Sequence, residues 1–440
     1  MIENLWYNRS IFQLEEVKIF MAIKVLKTTF STTKETIDLL FACNRVSAQI
    51  WNETLRVAKE YALTHDGKWI QKGELFKALK RKYPMHSQSV QSVATRYLFA
   101  RDSAYSARQK GYPNKYPWRI KKNYNTRWID DAFSFNYENR ELTLSLGVQN
   151  HKQQKMKVAL PKKIITKVKK ILKKNVNAIS EIELCYCNGL SLHITYDDGK
   201  LTSSNDASTE TAGVDLGEIH AISACATNGE SVIITGRKLR SVHRLRNKLI
   251  RKIQKAQAKC TKHSRRWKKL QRKKRYILSK SKHQVEYKTH EITKNFVDWC
   301  VENDVKHVFC GNPEGVQRNT SGRKKKNRAT VKARKKIRKR KVSQKLSNWN
   351  FGKVMEFLEY KLQAKGIKFE KISEAYSSQN CPICGQRHKT STRNYRCSCG
   401  YKAHRDVHGA HNILSLGLTG HFEKICNFET QKPKYLRLTA

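Results

Sequence analysis

The sequence predicts an α/β protein in two parts, a small antiparallel barrel or sheet interrupted by a helical insertion, followed by a mixed sheet covered by helices. Between Thr33 and Gly111 the apolar residues fall at helical spacing, whereas from Trp128 to Tyr196 they come in short alternating runs. A polar stretch at 201–208 then separates this half from a second series of strands and helices, and the main domain boundary is expected there.

In the first half, a strand-like run at 22–27 follows Met21, so residues 1–20 read as a leader of uncertain status. Leu39, Leu40, Cys43, Val46, Ile50 and Trp51 mark one helix of the insertion, and Val90, Val93, Tyr97 and Leu98 mark another. Strands are expected at 133–137, 142–146, 157–160, 182–187 and 192–196. In the second half, strands are expected at 211–217, 221–226, 231–234, 306–312 and 366–374, with a helix at 351–362. Val242, Leu245, Leu249, Ile253 and Ala256 form an apolar stripe on a strongly basic helix.

Charge points to the partner. The 440 residues carry 89 Lys and Arg against 36 Asp and Glu, a formal charge of +53. That matches the charge on about 53 phosphates, or roughly 26 base pairs of duplex. Between Glu230 and Glu286 there are 21 Lys and Arg and no acidic residue. Such a run repels itself unless phosphates lie alongside, so Arg265, Arg266, Lys268 and Lys269 are candidate nucleic-acid contacts. Trp118, Tyr124 and Trp128, among basic neighbours, are candidates for stacking on bases. A second basic block at 318–353 reads as a loop that orders on a polyanion, with a localisation signal as the competing reading. No apolar run approaches the ~20 residues needed to span a bilayer, and the N-terminus lacks a basic segment followed by an apolar one. The expectation is a cytoplasmic, nucleoid-associated protein with reduced thiols, in which twelve cysteines are many unless some hold metal.

Two sets of residues carry chemistry. Asp215 sits in a Gly213-x-Asp215-x-Gly217 turn after a strand, in a chain poor in acid; the plain alternative is a turn aspartate. Asp406 opens a helix with Val407, Ala410, Ile413 and Leu414 on one face, where an N-cap role competes. Cutting a phosphodiester with two metals requires hard oxygen ligands converging from separate segments. Cys381-Pro-Ile-Cys384 and Cys397-Ser-Cys399 supply four thiolates, enough to close a tetrahedral structural zinc site. The second pair has one intervening residue where two are usual, so His388 or His404 stands as a substitute ligand. The other eight cysteines lie among apolar neighbours and read as core.

The Gly213-Val-Asp-Leu-Gly217 turn, the 376–385 segment Tyr-Ser-Ser-Gln-Asn-Cys-Pro-Ile-Cys-Gly, Cys397-Ser-Cys-Gly-Tyr401 and the 404–414 segment His-Arg-Asp-Val-His-Gly-Ala-His-Asn-Ile-Leu resemble the TnpB family. These are transposon-encoded RNA-guided DNA endonucleases related to Fanzor proteins and small type V CRISPR effectors. The resemblance covers residues 211–414 in motif order; the first half is similar only in layout. It implies a RuvC nuclease domain of RNase H fold at 211–440 with a zinc ribbon at about 376–403. Before it would come a linker at 201–210, a wedge β-barrel at 21–32 and 112–200, and a helical recognition insertion at 33–111. It further implies Asp215 and Asp406 as the first and last magnesium-binding carboxylates, two magnesium ions, and a guide RNA pairing with target DNA. The family places a glutamate where this chain has Gly311, so Glu374, at the end of the adjacent strand, is the expected replacement, ahead of Glu314 and Glu359. Competing functions are a nuclease-dead RNA-guided DNA-binding regulator and a transposase that rejoins strands.

Overall fold

A computed structural model describes residues 12–14, 17–149, 152–186, 189–202, 209–313, 344, 348–390, 392–430 and 432–438. The chain folds into two compact units, residues 21–200 and residues 1–20 with 201–440. Glu314 and nearly all of the basic block lie outside the described residues.

Strand β1 (Phe12–Leu14) folds back on β2 (Val17–Thr28), pairing Phe12 with Ile19, so the strand expected from residue 22 begins earlier and runs through Met21. Helices α1 (Lys34–Thr64), α2 (Lys72–Leu79) and α3 (Ser87–Gln109) follow. The Thr33 side chain accepts from the Thr36 amide at 3.3 Å, which caps α1. The stripes of α1 and α3 meet in one core through Ile50, Trp51, Leu55, Val93, Tyr97 and Leu98.

The same unit holds two sheets. Strands β3 (Thr126–Ile129), β7 (Ile179–Tyr186) and β8 (Leu190–Thr202) join β2 in the order β2-β8-β7-β3. Strands β4 (Phe133–Asn136), β5 (Glu141–Gln149) and β6 (Lys152–Ala159) form the other. The barrel or sheet expected from the alternation takes the form of two sheets around one core. Between β3 and β4 the chain makes a tight turn at Asp130, whose φ of 53° breaks the extended run. Helix α4 (Lys162–Lys174), absent from the sequence reading, buries Ile165 and Val168 on that core and turns its lysines to solvent.

Trp128 corrects a site expectation. It is fully buried on β3 against Leu142, Leu144 and Ile182, and its Nε1 donates to the Ser145 carbonyl at 2.9 Å. It packs the core and offers no face to a base. Trp128→Ala is expected to cost about 3–5 kcal/mol in a denaturant melt; an unchanged melt with lost nucleic-acid binding would reverse this assignment. Tyr124 is half-buried against Trp51, and of the three aromatics only Trp118 is exposed.

In the second unit, β9 (Glu210–Asp215), β10 (His220–Ala226), β11 (Ser231–Thr235), β12 (Val305–Asn312), β13 (Lys368–Ser373) and β16 (Lys434–Leu436) form one mixed sheet in the order β13-β12-β9-β10-β11-β16. Strands β9, β12 and β13 are parallel, β10 runs antiparallel to β9 and β11, and β16 is parallel to β11. The central strands are buried on both faces, so their sequences read as unbroken apolar runs. Helices α6 (Arg265–Glu302) and α7 (Phe351–Gln363) cover one face through Ile292, Phe296, Val354 and Leu358. Helix α8 (Arg405–Thr419) and the short hairpin β14 (Asn394–Arg396) and β15 (Lys402–His404) cover the other.

Helix α5 (Arg237–Ala258) pairs with α6, where Gln257 Nε2 donates to Gln271 Oε1 at 3.0 Å. The expected apolar stripe is only partly used: Ile253 is buried, while Leu245 is 58% exposed. Arg265, Arg266, Lys268 and Lys269 are exposed on the first turns of α6. Among the described residues no helix is long and apolar enough to cross a membrane.

Candidate functional site

The parallel pairing of β9, β12 and β13 brings the C-terminal ends of three strands to one edge of the sheet, where ligands collect in such folds. Asp215 is the last residue of β9, and Glu374 comes one residue after β13. Helix α8 delivers Asp406 in its first turn to the same edge. The close approach depends on Gly213, since a Cβ there would run into the backbone of Ala410 and Leu414 on α8. One turn after Asp406, Gly409 leaves room for the Asp215 carboxylate, which would lie 3.1 Å from a Cβ at that position.

The electrostatics show that Asp215 senses the other two carboxylates. Burial, then the charges of Asp406 and Glu374, push Asp215 up to about 7, against the opposing charge of Arg405. Burial also raises Glu374. For Asp406, burial acts upward but is outweighed by the hydrogen bond and charge of His220, so its carboxyl lies below the ordinary range. His220 Nδ1 stands 2.6 Å from Asp406 Oδ2, so the carboxylate has a side-chain partner and the helix N-cap is His404. The cap reading of Asp406 is thereby corrected.

Gly311 lies on β12 beside Ile372 of β13. A Cβ at Gly311 would sit 3.1 Å from Glu374 Cβ, 3.2 Å from Glu374 Oε2 and 2.6 Å from Ile413 Cδ1. The carboxylate of Glu374 therefore lies over the bare backbone of Gly311. Glu359, by contrast, is half-buried on α7 and paired with Lys371 at 2.7 Å.

The four thiols also converge. Cys381 and Cys399 sulfurs are 3.6 Å apart, those of Cys384 and Cys397 are 3.4 Å apart, and all four lie within 4.8 Å of one another. Tetrahedral zinc with bonds near 2.3 Å sets sulfurs roughly 3.8 Å apart, so the donor set fits that ion. Each knuckle closes with a left-handed glycine, Gly385 at φ 70° and Gly400 at φ 91°. The Gly385 amide donates to the Cys381 carbonyl at 3.0 Å and the Gly400 amide to that of Cys397 at 3.1 Å. The single residue between Cys397 and Cys399 is accommodated, and neither His388 nor His404 is needed as a ligand. The other cysteines are mostly core, as at Cys43, Cys185, Cys225, Cys300 and Cys310, but Cys260 and Cys426 are half-buried and Cys187 lies outside the described residues.

The ribbon is tied to the carboxylate edge. Asn412 of α8 donates through Nδ2 to the carbonyls of Ser377 at 2.7 Å and Asn380 at 2.8 Å, holding the segment between Glu374 and Cys381. His408 stacks on Tyr395 with ring centroids 3.9 Å apart. Sequence reasoning missed His220 and named His404 only as a substitute zinc ligand; the one signal for His220 is its place at the start of the strand following Asp215.

Residues 193–317 match the family model described as a probable transposase of the OrfB IS605 type, and residues 351–413 match the Cas12f1-like TNB domain. Over 72 residues the chain is 35% identical to the CRISPR-associated endodeoxyribonuclease Cas12f1 of Sulfoacidibacillus thermotolerans, a stretch covering 16% of this chain and 17% of that protein. Over 71 residues it is 34% identical to a TnpB-like protein of Methanocaldococcus jannaschii, covering 16% of this chain and 26% of the relative. The matched stretches thus span about a quarter or less of these relatives. Among solved structures, Cas12f1 in a complex with sgRNA and target DNA superposes with a TM-score of 0.63 at 14% identity, covering 87% of this chain and 83% of that one. The chain shares the mixed α/β fold of that compact effector and is similar in sequence to TnpB and Cas12f1 proteins.

Proposed function

We propose that this chain is an RNA-guided DNA endonuclease of TnpB type, cutting target DNA at Asp215, Glu374 and Asp406. The observation that carries the proposal is the seat of Glu374 over Gly311: the strand that lacks the glutamate expected from the resemblance is the one whose bare position receives a carboxylate from just past the next strand. On this reading the six-stranded sheet is a RuvC-like domain of RNase H type. Residues 21–200 act as the wedge with its helical recognition insertion, and the cysteine ribbon contacts target nucleic acid. Similarity to Cas12f1 and TnpB proteins, and the charge of +53, support a guide RNA and target DNA as partners.

The donor set suits magnesium. Three hard oxygen donors meet at one edge, and the upward push on Asp215 comes first from burial and then from the charges of Asp406 and Glu374, which a cation would relieve. Bound there, two magnesium ions would supply an activated water and stabilise the leaving oxygen. The protein's own part is to hold the acids at the ends of rigid strands, with His220 orienting Asp406 and Gly311 leaving Glu374 its space. Exposed cations of α6, Arg265, Arg266, Lys268 and Lys269 among them, would grip phosphates, with base pairing supplying sequence readout.

The test is to purify the protein with its RNA and supply a matching target. Glu374→Gln is expected to lower magnesium-dependent cleavage by at least about a hundredfold while retaining RNA. Glu359→Ala should cut like the parent. Gly311→Ala should fall between, because its methyl crowds Glu374 and Ile413. Undiminished cutting by Glu374→Gln would remove the relocated glutamate from the site, and target binding without cutting by the parent protein would establish the nuclease-dead alternative.

A further inference from the structure

Beside the carboxylate cluster lies a group of different chemical character. His220, His404 and Asp406 each offer a ligand atom, and these atoms all lie within 4.8 Å of one another. His220 is buried at the start of β10, and its Nδ1 faces Asp406 Oδ2 at 2.6 Å. Its other nitrogen meets the Tyr435 hydroxyl and Arg393 Nη1, each at 3.3 Å, which fixes the ring. The second histidine is unsatisfied: His404 Nδ1 is buried and has no hydrogen-bond partner among the described residues. A buried imidazole nitrogen without a partner is unfavourable unless something binds it.

We propose that His220, His404 and Asp406 form a zinc-binding inhibitory site that shares Asp406 with the magnesium site. Two imidazoles and one carboxylate suit Zn²⁺, with bonds near 2.0–2.2 Å, whereas Mg²⁺ prefers oxygen donors and its own waters. In a tetrahedral zinc site the ligand atoms stand roughly 3.3–3.5 Å apart. The observed spacing reaches that by small side-chain rotations, with the ion replacing the His220 to Asp406 hydrogen bond. The Asp406 side chain is 32% exposed, which gives an entry path. Arg393 opposes a cation here, while Asp215 and Glu374 nearby favour one. Zinc at this site draws on the Asp406 carboxylate, so the consequence is loss of the magnesium-supported reaction.

The inhibitory arm rests on the nuclease reading, whereas the metal-binding arm does not. The full chain, with its four-cysteine site already zinc-loaded, is titrated with ZnCl₂ and its bound metal counted after desalting. The wild type should take one further equivalent, and His404→Ala and His404→Gln should not. Co²⁺ added to the zinc-loaded wild type should give weak visible bands without thiolate charge transfer, absent in both variants. In magnesium-supported cleavage, half-inhibition by zinc should need at least about tenfold more metal in His404→Gln than in the wild type. A wild type that takes no further zinc, or variants that take it equally, would overturn the site. Extra zinc bound by a wild type that never cuts DNA would uphold the site and reject the nuclease reading instead.

Discussion

Replacing Asp215 by Asn should abolish magnesium-dependent cleavage, by about a thousandfold or more, and at the same time raise the melting temperature of the metal-free protein by several degrees at pH 8. Both effects have one cause. In the fold, Asp215 is pushed up to about 7 by burial and by the charges of Asp406 and Glu374, against about 3.9 in an unfolded chain. Between those values the folded state holds a proton that the unfolded state has released, so stability falls as pH rises from about 4 to about 7. Below pH 4 both states are protonated and the penalty vanishes. Asparagine carries no charge at any of these values, so its advantage over the parent should open as pH rises through that window and be full above it. Saturating magnesium should narrow the gap by neutralising the parent's acids. Calorimetric melts at pH 4 and pH 8, with and without magnesium, check each part; an Asn variant melting below the parent at pH 8 would show that the acids do not repel one another. Stability sacrificed at a reactive site is the general pattern.

Removing zinc should disable cleavage from a distance. Cys384→Ser is expected to lower bound zinc by one equivalent, to expose the segment 376–404 to protease, and to reduce cutting at least about tenfold. The two strands of the ribbon hairpin have three residues each, too few to stand alone without a staple. Their anchors reach the carboxylate edge: Tyr395 stacks on His408, Asn412 holds the backbone at Ser377 and Asn380, and the Arg405 amide donates to the Arg393 carbonyl at 2.7 Å. Loosening the knuckle thus loosens both the segment after Glu374 and the first turn of α8. Retained zinc in Cys384→Ser would place the ion elsewhere, and full cutting by the zinc-free protein would uncouple the ribbon from the site.

Much of this was legible along the chain, for a physical reason. Strand and helix periods depend on neighbours a few residues apart, so the strands at 133–137, 142–146 and 306–312, the helix at 351–362 and the four clustered cysteines could be read locally. Trp128 could not, because whether an indole packs or stacks depends on the sheet that closes over it, and here Leu142, Leu144 and Ile182 do so. The same holds for Leu245, which belongs to the apolar stripe of α5 and is nonetheless 58% exposed.

By itself, the amino-acid order determined that this is a basic α/β chain with a strand-end acid at Asp215, a helix-opening acid at Asp406 and a cysteine ribbon between them. Only the tertiary structure decided that Glu374 fills the space over Gly311, that His220 holds Asp406, and that His404 Nδ1 has no hydrogen-bond partner among the described residues. Those facts arise from registers between strands and helices far apart in sequence. Such registers follow from packing the whole sheet between its helices, which no local pattern encodes.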